Sequence, residues 1–416
     1  MQYRSRAIDL ELDELLPLAP AIALDGPKGV GKTGTALRRA TQAWYLDDKD
    51  QRALVEADPY LGSAQDGTLL LDEWQHLPQV WDMVRRSVDA GAPPGRFLLT
   101  GSATPRPGTT THTGAGRILS LRMRPMALFE RGVVEPTVSM RHLLAGTQGT
   151  IVGDSHLTLS DYAGEITRSG LPGILELPEP LREAQLDAYL RRIIDRELSD
   201  QGLTVRRSET LRRWLTAYAA ASSTTAAYSR ILDMTTAGDG SQPAKTTTIA
   251  YRDHLTQLWL LDPVPGWSHS RSHFTKLQQA PKHQLADPAL ATRLLNLSAR
   301  SLTTARGAAM TGPLFESLAT LSIRAAAQVQ RARVGHLRTN RGDREIDLIV
   351  EGSDGQVVGI EVKLATSVDD ADVRHLLWLR DQLPDDVVDL VVLTTGAHAY
   401  RRPDGVAVVP LALLGA

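Results

Sequence analysis

The run Gly26-Pro27-Lys28-Gly29-Val30-Gly31-Lys32-Thr33 constrains this chain more than any other segment. It meets G-x-x-x-x-G-K-[ST] at every fixed position, and its flanks supply the context that the pattern needs. Ala21-Ile22-Ala23-Leu24 reads as a buried strand, and Gly34 through Ala43 reads as a helix. A strand, a glycine-rich loop and a helix in that order aim backbone N–H groups at phosphate oxygens, with the helix start adding partial positive charge. Gly26, Pro27, Lys28, Gly29, Val30, Gly31, Lys32, Thr33 and Gly34 are the expected cradle. Lys32 is expected to reach the β- and γ-phosphates, and Thr33 to place its hydroxyl on Mg2+.

The 416 residues leave room for two or three domains. Hydrophobic residues at 42% suffice for ordinary cores. The absence of cysteine excludes disulfides, thiolate metal sites and cysteine nucleophiles. No run approaches the ~20 apolar residues of a membrane helix, and Met1 to Arg6 has no secretory-type apolar segment behind it. A cytoplasmic location without a membrane partner is therefore expected. The formal net charge of −2 gives no overall nucleic-acid signature, although local basic faces remain open.

Thr68-Leu69-Leu70-Leu71 ends in Asp72-Glu73. An apolar strand ending in two acids carries them to the carboxyl edge of a parallel sheet, where the phosphate loop also lies. Asp72 is expected to hold Mg2+ through its water shell, and Glu73 to polarise the attacking water as general base. A third strand, Arg96 to Thr100, ends in Gly101-Ser102. A polar side chain there sits between the other two motifs; Ser102 is the first candidate to sense the γ-phosphate and Thr100 the second, the alternative being a simple Ser/Thr turn. Thr111 to Ile118 is a glycine-rich loop presenting Arg117, a candidate to stabilise phosphoryl charge in a neighbouring subunit; Arg122 and Arg124 are its rivals.

Gly26–Thr33, Leu71-Asp72-Glu73-Trp74-Gln75, Leu99-Thr100-Gly101-Ser102, Gly114-Ala115-Gly116-Arg117 and Arg124-Pro125-Met126 together resemble AAA-superfamily ATPases that carry a C-terminal domain of unknown function. The resemblance implies a core-ATPase fold, ATP as ligand and self-association. One departure is the short stretch from Ala53 to Gly67, which lacks a clear extra strand.

Three parts follow: a P-loop AAA-type parallel-sheet domain over 1–150, a helical region over 151–300, and a small α/β domain over 301–416. In the middle, Pro180 to Leu198 reads as a charged amphipathic helix whose Arg182, Arg191, Arg192 and Arg196 form either a lid near nucleotide or a solvated face. Glu209–Ala221, Thr224–Met234 and Lys245–Leu260 are helix-sized, with Ser223 or Thr224 a cap for the second and Thr246 to Thr248 for the third. Leu261 to Trp267 then reads as a β-wing, which makes a winged helix. Its third helix offers only Lys245, Tyr251, Arg252 and His254 against Asp253, thin for a phosphate-binding face, so a scaffold or protein-contact role is favoured over DNA binding. His269 and His273 have helical metal-ligand spacing but lie in a polar run that reads as a loop.

Near the C-terminus, Arg344–Glu351 and Gln356–Lys363 read as a hairpin about Gly352-Ser353-Asp354-Gly355. A three-residue loop with Gly355 left-handed pairs Gly352 with Gln356, Asp347 with Glu361 and Glu345 with Lys363. Alternation puts those four charged residues on one face and Ile346, Leu348, Val350, Val358, Ile360 and Val362 on the other. Opposed carboxylates repel, so something must compensate, and a divalent cation would do so. An acid followed by Glu-x-Lys on the next strand resembles the PD-(D/E)XK nuclease fold. That resemblance implies Mg2+ on Asp347 and Glu361, catalysis by Lys363, a further ligand in Glu316 from the preceding helix, and DNA as a candidate partner. The same fold also persists in proteins that do not cut, and a solvated face neutralised by Lys363 and Arg344 is the plainer alternative.

Overall fold

β1 (Ala21–Asp25) is buried along its whole length, as a strand covered on both faces must be. The computed structural model describes residues 3–58, 66–102, 114–147, 149–197, 208–235, 243–268, 280–339 and 342–416. Helix α1 (Ala7–Leu15) precedes β1. After it come α2 (Lys32–Leu37), β2 (Gln42–Tyr45), α3 (Lys49–Ala57), β3 (Leu69–Asp72), α4 (Gln79–Asp89), β4 (Phe97–Gly101) and β5 (Leu119–Arg122). The five strands form one all-parallel sheet in the order β2-β3-β4-β1-β5. β4 therefore lies between the strand that feeds the phosphate loop and the strand that ends in Asp72.

The helix after the loop is shorter than its sequence pattern suggests. It stops at Leu37, and Gln42–Tyr45 is a strand, although the pattern carries the helix to Ala43. The amides of Thr41 and Gln42 both donate to the Thr68 carbonyl, which starts the parallel ladder with β3. That ladder outweighs the modest helix preference of this polar run. The segment from Ala53 onward begins inside α3.

The middle of the chain is helical. Two very short strands, β6 (Val138–Ser139) and β7 (Gly153–Asp154), flank α5 (Met140–Leu144). Then follow α6 (Leu159–Arg168), α7 (Pro172–Leu175) and α8 (Glu179–Arg192). Three helices correspond to the trio expected from the sequence: α9 (Ser208–Ala220), α10 (Tyr228–Thr235) and α11 (Lys245–Gln257). The expected caps are not used. Ser223 takes a left-handed φ of 59° and its hydroxyl donates to the Pro313 carbonyl, while the Thr224 hydroxyl turns back to the Ala221 carbonyl. The residue before α11 is Ala244, with no side-chain cap, and Thr248 bonds back to the Lys245 carbonyl. Leu261 and Val264 pair antiparallel with Leu285 and Lys282, a narrow ribbon after the third helix. Tyr251 is buried against Trp214, with ring centroids 6.4 Å apart, so it belongs to the core rather than to an outward recognition face. His269 and His273 lie outside the described residues.

Two short helices, α12 (Pro288–Leu294) and α13 (Ala299–Leu302), lead into the long α14 (Ala308–Val329), which carries Glu316. The remaining elements are β8 (Arg333–Arg338), β9 (Glu345–Glu351), β10 (Val357–Val362), α15 (Asp370–Gln382), β11 (Val387–Thr394), β12 (His398–Arg401), β13 (Ala407–Pro410) and β14 (Leu414–Gly415). A mixed seven-stranded sheet runs β7-β12-β13-β11-β10-β9-β8, and β14 pairs with β6. One apolar core reaches from Leu128 through Trp214 and Phe315 to Leu414, so the middle helices and the C-terminal sheet share their interior. Among the described residues no helix is long and apolar enough to cross a membrane.

Candidate functional site

Three strand ends meet at the carboxyl edge of the parallel sheet. β1 delivers the loop. Its first glycine, Gly26, lies so close to the Met123 carbonyl that a Cβ would sit 2.2 Å from that oxygen, and Gly31 adopts a left-handed φ of 105° just before α2. Neither position accepts a side chain without a shift. Lys32 is buried and folded back: its Nζ donates to the Gly26 and Pro27 carbonyls at 2.8 and 3.0 Å. Burial pulls this ammonium down to about 8, against the pull of Glu73, Asp25 and Asp72 in the other direction. A desolvated cation held mainly by carbonyls is a receptor for an anion.

The Thr33 hydroxyl donates to Asp72 Oδ1 at 2.8 Å, and Thr100 at the end of β4 bonds the same oxygen. Burial raises the Asp72 carboxyl, while these two hydroxyls hold it down. Glu73 follows in a left-handed conformation, φ 53° and ψ 47°. That geometry costs a non-glycine residue about 1–2 kcal/mol and turns the acid off the strand axis. Gln75 Nε2 bonds Glu73 and also Ser102 Oγ, the latter at 3.2 Å, and Ser102 Oγ lies 3.3 Å from Glu73 Oε2. The two candidates at the end of β4 thus divide: Thr100 touches Asp72, and Ser102 touches Glu73. Lys32, Thr33, Asp72, Glu73 and Ser102 are brought together. The residues present suit a magnesium nucleotide, with carbonyl-held cation, hydroxyl and carboxylates at one edge.

Arg117 stands apart from this group. It precedes β5, whose Leu119 aligns with Ile22 and whose Arg122 aligns with Asp25. Arg117 is therefore at the opposite edge of the sheet from the Gly26–Thr33 loop of the same chain. There it is half exposed and paired with Asp89 at the end of α4 at 2.9 Å. Its rivals are already engaged: Arg122 and Arg124 reach Asp262 at 2.9 and 3.0 Å. Arg324 of α14 reaches the same carboxylate at 2.8 Å.

Sequence reasoning missed several neighbours of the loop. Arg6 is buried and donates to the Val30 carbonyl at 3.1 Å and the Arg124 carbonyl at 2.7 Å, and it pairs with Glu130. Asp25, the residue before Gly26, is buried with its carboxyl pushed up by desolvation. A cleft of about 1270 Å3 opens beside the loop, lined by Tyr3, Gly31, Arg38, Phe129, Pro172 and Leu175. The only sequence signal for Arg6 is its charge in a short basic start, which has no defined spacing to the loop.

The C-terminal group lies in the other sheet. The hairpin register is as expected: Leu348 pairs with Ile360, Gly352 N donates to the Gln356 carbonyl, and Gly355 has φ 86°. One correction is needed. Between the β8–β9 pairs Gly335–Ile349 and Leu337–Ile346, His336 alone faces both Asp347 and Leu348. This bulge breaks the alternation. Ile346 consequently packs with Ile349 rather than with Leu348 and Val350. Asp347 is aimed at Lys282, a buried residue the sequence reading did not single out. Lys282 Nζ lies 2.9 Å from Asp347 Oδ1, 2.8 Å from Glu316 Oε1 and 3.9 Å from Glu345. Asp347 Oδ2 also accepts the Val362 amide at 2.9 Å. Glu361 is buried, 3.4 Å from Lys363, and its carboxyl is raised well above the usual range by burial and by Asp347. Burial and the Asp347 charge push Glu316 up to about 8. Glu345 faces Arg338 and Lys282 rather than Lys363. Among the described residues no three Asp, Glu or His side chains form a group able to hold a metal ion.

Comparison with known proteins fits the first site. Residues 19–131 match an AAA domain, residues 159–301 a domain of unknown function (DUF8612), and residues 311–414 another domain of unknown function (DUF4143). An uncharacterized protein of Mycobacterium bovis and one of Mycobacterium tuberculosis are each 25% identical over 421 residues, covering 99% of this chain and 84% of theirs. A solved Walker-type ATPase of Pyrococcus abyssi is similar at 15% identity with a TM-score of 0.41, covering 70% of this chain and 96% of that one. The AAA match and the geometry of the loop together support a P-loop ATPase.

Proposed function

We propose that this protein binds ATP with Mg2+ and hydrolyses it, and that the nucleotide state is passed to the C-terminal α/β domain. The observation that carries the reading is the Thr33–Asp72 hydrogen bond, which joins the phosphate loop to the acidic strand end. Thr33 and Asp72 would hold Mg2+, directly and through water, and the ion would neutralise charge on the phosphates. Lys32 gives up its carbonyl partners for phosphate oxygens. Glu73, turned off its strand and steadied by Gln75 and Ser102, positions a water and takes its proton. The cleft along Tyr3 and Phe129 offers room for the base and sugar.

Arg117 faces away from its own site, which favours a role in a neighbouring copy and hence self-association. Asp262 ties Arg122 and Arg124, beyond the loop, to Arg324 on α14, a route by which the ATP site acts on the C-terminal sheet. The three helices and the antiparallel pairing of Leu261 and Val264 with Leu285 and Lys282 support a winged-helix reading of the middle region, used as scaffold. Metal-dependent DNA cutting at Asp347, Glu361, Glu316 and Lys363 is the second reading, and it requires a divalent ion between Glu316 and Asp347, where Lys282 Nζ already bonds both acids.

Steady-state hydrolysis of ATP with Mg2+ tests the main reading. Glu73→Gln lowers turnover by roughly 10²- to 10⁴-fold while nucleotide binding persists, and Lys32→Ala loses binding. Wild-type turnover in Glu73→Gln would refute it. Turnover per subunit that rises with protein concentration supports completion of the site by a neighbour.

A further inference from the structure

We infer that the Lys282 ammonium is the resident cation of the C-terminal carboxylate cluster, standing where a divalent metal would otherwise hold Glu316 and Asp347 together, so that this domain does not cut nucleic acid by a metal-dependent route. The inference concerns the other sheet and stands independently of the ATPase reading.

The cluster needs positive charge, because Glu316, Asp347 and Glu361 converge in a largely buried space. Lys282 supplies it from within the chain. Its side chain is 1% exposed and bonds Glu316 at 2.8 Å and Asp347 at 2.9 Å at once. The third acid, Glu361, has its own partner in Lys363 at 3.4 Å, and burial beside Asp347 pushes its carboxyl up. Each of the three acids therefore has a lysine partner within the chain.

Lys282 is also anchored. Its amide and carbonyl both bond Val264 at 2.9 Å. The next residue, His283, accepts from the Ser223 amide and donates its own amide to the Thr224 carbonyl, both at 2.8 Å. These bonds fix the backbone from which the buried side chain reaches the two acids. A divalent ion entering between Glu316 and Asp347 would leave the ammonium buried beside a second positive charge. The bulge opposite His336 completes the arrangement, because it turns Asp347 toward Lys282.

The test uses the full chain without nucleotide, in an Asp72→Asn background that silences the metal position of the ATP site. Mn2+ binding is followed by calorimetry and by the paramagnetic resonance of free Mn2+. Without further change, the expected result is no uptake at millimolar Mn2+. Lys282→Met, which keeps length and removes charge, gains a Mn2+ site at least tenfold tighter, and adding Asp347→Asn abolishes it. Lys282→Gln serves in the same way if Lys282→Met fails to melt cooperatively. Uptake in the Lys282-bearing chain that Asp347→Asn removes would overturn the inference, as would two folded Lys282 variants that gain no site. Plasmid incubated with wild-type protein, Mg2+ and ATP provides an arm that needs no Lys282 variant. Supercoiled DNA stays intact if the inference holds, and nicking that Glu361→Ala abolishes overturns it.

Discussion

Replacing Asp262 by asparagine removes the carboxylate on which Arg122, Arg124 and Arg324 converge. The site is nearly closed to water, and the three guanidinium groups hold this carboxyl well below its ordinary range despite burial. Oδ1 lies 2.9 and 2.8 Å from the Nη1 atoms of Arg122 and Arg324, and much of the attraction is Coulombic. Asparagine keeps the shape and loses the charge, and its amide group meets guanidinium donors. Removing one member of a buried ion pair costs about 3–5 kcal/mol. The node joins β5 to α14, so the whole chain of 416 residues is the relevant unit. At roughly 2.1 cal/mol/K of unfolding entropy per residue, that cost lowers the melting temperature by about 3–6 °C. Differential scanning fluorimetry at neutral pH measures it. The pH dependence adds a check on cause. A carboxyl with a depressed folded-state value contributes stability above its unfolded value of about 3.9 and loses it only as pH falls further. The gap between wild type and Asp262→Asn therefore holds from pH 7 to about 4 and narrows below. A melting temperature within about 1 °C of wild type at pH 7 would refute the view that this carboxylate neutralises the arginines.

Other expectations follow from the ATP site. Lys32, drawn down to about 8 by burial, regains its proton when an anion binds. Nucleotide binding above pH 8 therefore takes up protons, and affinity falls toward about tenfold per pH unit; calorimetry in buffers of different ionisation enthalpy detects this. Without nucleotide the same shift makes stability rise between about pH 8 and 10, since the unfolded chain binds the extra proton there; thermal melts across that window test the sign, and Lys32→Met should abolish the rise. Gly101→Ala puts a Cβ 2.5 Å from Trp74 Nε1 and 3.0 Å from Gln75 Oε1. The crowding costs about 1–3 kcal/mol and displaces Gln75 from Glu73, so both the melting temperature and ATP turnover fall. An unchanged turnover would show that Gln75 does not position the acid.

Local chemistry made much of this legible in the sequence. The loop, the acidic strand end and the polar end of β4 each announce themselves within a few residues, and parallel strands gather such ends at one edge. The C-terminal hairpin register was equally local, because Gly355 and the alternating residues fix it together. What was not legible depends on long-range partners. The bulge at Asp347 arises from pairing with β8, a strand that the sequence pattern did not mark. Lys282 meets Asp347 across 65 residues of chain, and Arg6 meets Val30 only through the packing of α1. The helix after the loop ends earlier than its pattern suggests, because nothing in Gly34–Ala43 reveals the ladder that Thr68 offers.

Lys32 and Lys282 show how one side chain serves opposite ends. Both are buried, and burial disfavours the charge of both. At Lys32 the close partners are neutral carbonyls and the acids lie farther off, so burial prevails and the ammonium is drawn down. At Lys282 two carboxylates sit in hydrogen-bond contact, so attraction prevails and the ammonium is held well above its ordinary range. The first arrangement is electrostatically incomplete, and an arriving phosphate improves it. The second is complete within the chain, and an arriving cation worsens it. Identical residue type and similar burial thus separate a site that waits for a ligand from one that already contains its counter-charge, and the difference lies in the nearest oxygen atoms rather than in the lysines.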